Sequence, residues 1–288
     1  MIPFTQVQIA EILSELESKK ISSKLGFFSE PFRINYNGND LIVKTYLPIR
    51  NNSLVSSIME NHNNYIAKLN SIGIKIPETI ITTKQIKNKR QLIIIQEPFN
   101  ENELIRDLIK KASIAELLNL CNLLFNDILK FWNGKRNSTD IGFHPTLRNY
   151  ALHKSELYYF DTFPPMLMDQ KKLNHIILAM APYDTLIKKI IPSQLINRVS
   201  DEYYHLDKMF IGIAGSCCRL RPDDSEQILA FSIKYVDTCL SISEDEKESI
   251  KKLLQTPPNL SKLWILIRKL TGNMGEPNIK SSAGKRNS

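Results

Sequence analysis

An α+β fold is what this sequence predicts, with a β-rich first third and a helical remainder arranged as two lobes. From about Ile21 to Leu47 the residues alternate and are rich in β-formers. Within that stretch Asn37-Gly38 stands between FRINY and LIVKTYL, the strongest short-range hairpin signal a chain can carry. A second strand pair, ETIITT and QLIIIQE, flanks the charged turn KQIKNKR. Around Glu97-Pro98-Phe99 the composition switches, and apolar residues recur thereafter at helical spacing.

Each element has its own local signal. Thr5 with Gln8 forms a capping box for a first helix carrying Ile9, Ile12, Leu13 and Leu16. Leu54, Ile58, Tyr65, Ile66, Leu69 and Ile72 make a helical stripe that Gly73 ends and Pro77 cannot continue. Ser113 with Glu116 caps a buried helix running through Leu117, Cys121, Leu124, Phe125, Ile128 and Phe131 and closing at Gly134. The segment FHPTLRNYALHKSELYYFDTFPP, from Phe143 to Pro165, contains a short β-hairpin. After it, KKLNHIILAM, SQLINRV, DSEQILAFSIKYVDTCL, DEKESIKKLL and NLSKLWILIRKL read as helices, and GNMGEPNIKSSAGKRNS as a polar mobile tail. The expected division is an N-terminal helix over 1–20, a β-rich N-lobe with one crossing helix over 21–99, a helical C-lobe over 100–272 and the tail over 273–288.

Bulk composition narrows the function classes. The 288 residues, 42% hydrophobic, suffice for one large domain or two modest lobes. Lys plus Arg total 38 against 30 Asp plus Glu, and the net charge of +8 favours an anionic partner. That excess is spread over Lys-rich helices such as LIRDLIKKAS. No zinc finger, recognition-helix module or aromatic-interleaved basic strand accompanies it, so nucleic acid is not the expected partner. Cys121, Cys217, Cys218 and Cys239 lack zinc-site spacing and read as packed thiols, and His62, His153, His175 and His205 as surface or packing residues. No apolar stretch reaches the length of a membrane span and the amino terminus reads as an amphipathic helix, so the cytoplasm is the expected compartment.

A few polar residues stand where chemistry is possible. Lys44 shares a strand face with Ile42 and Tyr46; it either points to water from an edge strand or needs a counter-charge or ligand. Glu60, in the following helix, either is solvated or reaches back to Lys44. Asn149 reads locally as a turn-forming amide. Asp161, at the end of the apolar strand ELYYF, calls for a counter-charge. Tyr203, Tyr204 and His205 form a polar-aromatic cluster that either lines a pocket or packs on the core.

In order, the LIVK hairpin, the Glu-bearing helix, IIIQEPF, a buried helix, HPTLRN and FDTFPP resemble the protein-kinase-like superfamily. The similarity is to its small-molecule phosphotransferases of the aminoglycoside and choline kinase type and to atypical bacterial kinases, over roughly residues 21–270. The resemblance implies ATP and Mg²⁺ as cofactors. Lys44 would contact phosphate with Glu60 as its partner, Glu97 to Phe99 would form a hinge offering backbone groups to adenine, and Asn149 and Asp161 would be the metal ligands. Oxygen ligands suit Mg²⁺.

The chain departs from that pattern twice. KLGFFSEPF, before the hairpin, has the single Gly26 and no Gly-rich loop, and His144 stands where the catalytic base Asp is expected. A neutral imidazole can accept a proton at cytoplasmic pH, so His144 is the candidate base. The expected function is therefore an ATP- and Mg²⁺-binding kinase-like protein that transfers phosphate to a small hydroxylated molecule. The alternative is a pseudokinase serving as a nucleotide-binding or protein-interaction module.

Overall fold

The computed structural model describes residues 5–18, 30–135, 140–168, 171–174, 176 and 203–255. Helix α1 (Gln6–Ser18) opens with the marked capping box: the Thr5 N–H donates to Gln8 Oε1 at 2.8 Å and the Gln8 N–H to Thr5 Oγ1 at 3.3 Å. Strands β1 (Glu30–Tyr36) and β2 (Asn39–Thr45) pair antiparallel across Asn37-Gly38, both at positive φ (51° and 81°), as a tight hairpin of this hand requires. Asn51 caps α2 (Asn52–Ser71) by accepting the Leu54 N–H at 3.0 Å, and Gly73 releases the chain at φ 86°.

Strands β3 (Thr79–Ile86) and β4 (Lys89–Gln96) complete an antiparallel sheet of order β1-β2-β4-β3. The turn between them is shorter than KQIKNKR. Pairing runs out to Ile86↔Lys89 and only Lys87-Asn88 turns, because both polar flanks can lie on a solvated sheet end.

The sheet is covered on both faces. Ile9, Ile12 and Leu13 of α1 pack with Leu41, Val43, Ile93 and Ile95, while α2 packs with Ile81, Leu92 and Ile94 on the other side. A central strand buried on both sides needs a continuous apolar run, and Leu92 to Ile95 supply it. The N-terminal helix is therefore part of the β-rich layer, and α2 is the crossing helix on the opposite face.

The helical region begins after Gln96. A short 3₁₀ turn (Glu101–Glu103) leads to α3 (Ile105–Lys111) and α4 (Ile114–Lys135), the latter closed at its start by Ser113 and Glu116, with the Ser113 N–H donating to Glu116 Oε2 at 2.7 Å. Gly134 does not end α4. It lies inside the last turn, where a Cβ would stand 2.6 Å from Ile72 Cγ2, so it serves close packing against the end of α2.

Strands β5 (Tyr150–His153) and β6 (Glu156–Tyr159) form the expected hairpin, and α5 (Leu206–Leu220), α6 (Ser225–Thr238) and α7 (Glu244–Leu254) follow. Phe125 stacks on Phe210 at 4.9 Å and Phe131 on Phe143 at 4.7 Å, which joins α4 to α5 and to the loop before the hairpin. The β-rich and helical regions meet at the β5–β6 hairpin, where the Tyr159 N–H donates to the Lys75 carbonyl at 2.8 Å. Nearby, the Tyr65 hydroxyl donates to the Gly142 carbonyl at 3.0 Å. The fold is α+β as expected.

Several expectations lie outside the described residues. They are the strand start at 21–29 with Gly26, most of KKLNHIILAM with His175, SQLINRV, NLSKLWILIRKL and the tail over 273–288. No described helix is long and apolar enough to cross a membrane.

Candidate functional site

Lys44 reaches the site because strand alternation sends it, with Tyr46, to the sheet face opposite α1. It is 8% exposed, so its ammonium needs oxygen partners inside the protein. Two are present. Nζ donates to the Phe160 carbonyl at 3.1 Å and stands 3.6 Å from Asp161 Oδ1, and it also lies 5.6 Å from the Phe160 ring centroid. The contact joins residues 116 apart in sequence. The Asp161 side chain keeps 42% of its surface open, so one carboxylate both answers the lysine and faces solvent.

Asn149 is tied to the same segment from the other side. It ends a 3₁₀ turn (Leu147–Asn149), its carbonyl accepts the Phe160 N–H at 2.9 Å, and its Nδ2 donates to the His144 carbonyl at 3.0 Å. Donation from Nδ2 commits that end of the buried amide to the loop and leaves Oδ1 as its acceptor end. Lys44, Asp161, Asn149 and His144 thus form one chain of short contacts.

The His144 ring packs on Tyr203 at 4.4 Å, deep among protein atoms although part of the residue's surface stays open, and burial holds its pKa down to about 4. Tyr203 and Tyr204 serve packing here: the Tyr203 carbonyl accepts the Phe143 N–H at 2.7 Å, and the Tyr204 hydroxyl donates to the Met168 carbonyl at 2.8 Å.

Other expected residues do not arrive as foreseen. Glu60 is exposed and does not meet Lys44. The buried face of α2 is Val55, Ile58, His62, Tyr65 and Leu69, and a residue two positions from Ile58 and from His62 points the opposite way on a helix. Glu97 is exposed, and its N–H already continues the sheet by donating to the Glu78 carbonyl at 3.0 Å, so that group is not available to a base. Phe99 turns its ring to Tyr158 at 5.5 Å and Phe160 at 5.9 Å, a partly exposed aromatic cluster beside the Lys44 contact.

Two residues unforeseen as site residues complete the seam. His62 is fully buried, and its Nε2 is 2.9 Å from Thr162 Oγ1, with Thr162 itself 2% exposed. Burial, with the Lys44 charge as a smaller contribution, depresses the His62 pKa to about 3, so the imidazole is neutral at ordinary pH. A signal was present in the sequence: Val55, Ile58, His62, Tyr65 and Leu69 repeat at intervals of three and four, which places His62 inside an apolar stripe.

With Tyr46 against Phe163 at 4.1 Å, the segment 160–163 is gripped at each residue from the β-rich side. Two clefts, of about 510 and 520 Å³, lie elsewhere. One is around Lys75, Asp127, Lys130 and Glu156, the other around Leu54, Asn61, Asp140 and Lys172.

Arranged so, the site offers a buried cation, a carboxylate and an amide oxygen, a donor set of hard oxygens that fits Mg²⁺. No curated protein matches the chain. A solved structure titled "WaaP in complex with acyl carrier protein" is similar at a TM-score of 0.39 and 12% identity, over 81% of this chain and 95% of that one. A family model described as "Family of unknown function (DUF6206)" matches residues 8–275, nearly the whole length, and the chain belongs to that family.

Proposed function

We propose that the seam between β2 and the end of the β5–β6 hairpin binds a nucleoside triphosphate with Mg²⁺ and that the protein transfers phosphate to a small hydroxylated acceptor. The observation that carries this reading is the contact of the buried Lys44 ammonium with the Phe160 carbonyl at 3.1 Å and the Asp161 carboxylate at 3.6 Å, with Asn149 bonded to the same segment. Phosphoryl transfer asks a protein chiefly for a cation on the phosphates and for oxygen ligands holding the metal that bridges them. Lys44 would serve the first need. Asp161 and Asn149 Oδ1 would serve the second, and the bound ion would neutralise charge on the transferring group. The partly open aromatic cluster of Phe99, Tyr158 and Phe160 offers a surface for a base.

A second reading has its own observation. His144 at the base position packs on Tyr203, and its pKa near 4 makes it a weak proton acceptor. That favours a pseudokinase that binds nucleotide without turning it over.

A thermal-shift titration with ATP and MgCl₂ tests the binding claim, since a ligand selecting the folded state raises stability as RT ln(1 + [L]/Kd). The wild type is expected to shift, and Lys44→Met and Asp161→Ala to lose the shift. Equal shifts in all three would overturn the assignment. ATP turnover across polyols, aminoglycosides and nucleosides then separates the readings: turnover abolished by Asp161→Ala favours the transferase, and binding without turnover favours the pseudokinase.

A further inference from the structure

We infer that His62 is the positioning residue of this site, coupling helix α2 to Asp161 through Thr162 in place of a carboxylate on the helix. The inference rests on the reading of Lys44 and Asp161 given under Proposed function and concerns what sets their geometry.

A buried lysine on a sheet face must have its direction fixed by something, and α2 packs on that same face. The helix presents no carboxylate to Lys44, because Glu60 points outward. What it presents is a neutral imidazole, fully buried, 2.9 Å from Thr162 Oγ1. Thr162 directly follows Asp161, and Phe163 lies against Tyr46, two residues beyond Lys44 on the same face.

The load path is therefore indirect. Helix α2 holds Thr162, strand β2 holds Phe160, Asp161 and Phe163, and Lys44 takes its counter-charge from the loop itself. A charged residue at position 62 would compete with Asp161 for the ammonium or repel it; a neutral ring does neither, and the Lys44–Asp161 pair is left undivided. Movement of α2 consequently moves the carboxylate that would hold the metal, through one neutral hydrogen bond.

Two variants on each side of that bond test the inference. The measurements are ATP-induced thermal stabilisation with and without MgCl₂, and the rate at which an amine-acylating reagent labels Lys44, followed by mass spectrometry. His62→Ala and Thr162→Val are each expected to weaken Mg²⁺-dependent ATP binding at least tenfold and to raise Lys44 labelling severalfold. Metal-free ATP binding should change less. His62→Gln and Thr162→Ser, which keep a hydrogen-bonding group at each end, should retain most of both properties.

Combining His62→Ala with Thr162→Val should be no worse than either alone, since both remove one contact. Additive losses, or a lowered melting temperature with binding and labelling unchanged, would overturn the positioning role and leave His62 a packing residue. The labelling readout needs no nucleotide. If the wild type fails to bind ATP while labelling still responds as described, the proposed function falls and the His62 coupling stands.

Discussion

Two charged groups are buried where the β-rich and helical regions meet, and the fold serves them unequally. Lys44, at the open end of the β5–β6 hairpin, takes partners from a different element, namely the Phe160 carbonyl and the Asp161 carboxylate. Asp127, near the hairpin's turn, is 2% exposed and takes its cation from its own helix, Lys130 one turn along at 3.1 Å. Its second oxygen is buried with no protein partner among the described residues. Burial consequently raises the Asp127 pKa to about 6, against a smaller opposing pull from Lys130. A partner from across the chain fixes a group's direction, whereas an i,i+3 partner on a half-exposed side chain satisfies one lone pair and leaves the group half-neutralised.

The contrast yields opposite pH slopes at the two ends of the hairpin, and that is the sharpest way to test it. His62 beside Lys44 has a folded pKa of about 3 against 6.5 unfolded, so the unfolded chain binds more protons in that window. Its contribution is full above pH 6.5 and is lost as pH falls toward 3, on the order of 5 kcal/mol by the pKa difference. Denaturant unfolding of wild type and His62→Gln from pH 7 to 4 should show a shallower acid decline in the variant. Parallel curves would break the contrast.

Asp127 runs the other way. Its folded pKa of about 6 exceeds the ordinary 3.8, so the folded state binds more protons between these values and stability falls as pH rises through them, on the order of 3 kcal/mol. Asp127→Asn should remove that decline and unfold at higher denaturant than the wild type at pH 7.5. A variant less stable at pH 7.5 would show that the carboxylate is better served than its hydrogen bonds indicate.

Smaller effects sharpen the same comparison. Gly134→Ala, at the end of α4 beyond Asp127, would press a methyl onto Ile72 at 2.6 Å and should cost about 1–3 kcal/mol in chemical denaturation, as overpacking does. Lys75→Ala removes an ion pair with Glu156 on the rim of the Asp127 cleft; both side chains are about half exposed, so solvent screens the pair and the loss should be the smallest of these effects. A larger cost for Lys75→Ala than for Gly134→Ala would mean that the turn end of the hairpin depends on charge more than on packing.

Much of the architecture was legible from local rules. The caps at Thr5 and Ser113, the Asn37-Gly38 turn and the break at Gly73 each stand where a short stretch of sequence satisfies its own backbone. Lys44 and Asp161 were each legible as a group needing a counter-charge, but their pairing was not, because the sequence offered Glu60 to Lys44 and the contact at 3.6 Å spans the fold. Asn149 fell between turn former and ligand in the sequence and bonds the loop in the structure. Glu60 was misread as the helix partner because a carboxylate's charge says nothing about which way its helix faces.

By itself the sequence determined the order of elements, their caps and turns, and the kinds of group that need partners, since hydrogen bonding and periodicity act over a few residues. Only the tertiary structure decided that the inward-facing His62 meets Thr162, that α1 joins the sheet as its second cover, and that Asp127 is sealed in with one oxygen unanswered. Those outcomes depend on the rotation of a helix against the surface it covers. For α2 that rotation is set by the summed burial of Val55, Ile58, Tyr65 and Leu69 together, and its polar residues take whatever direction results.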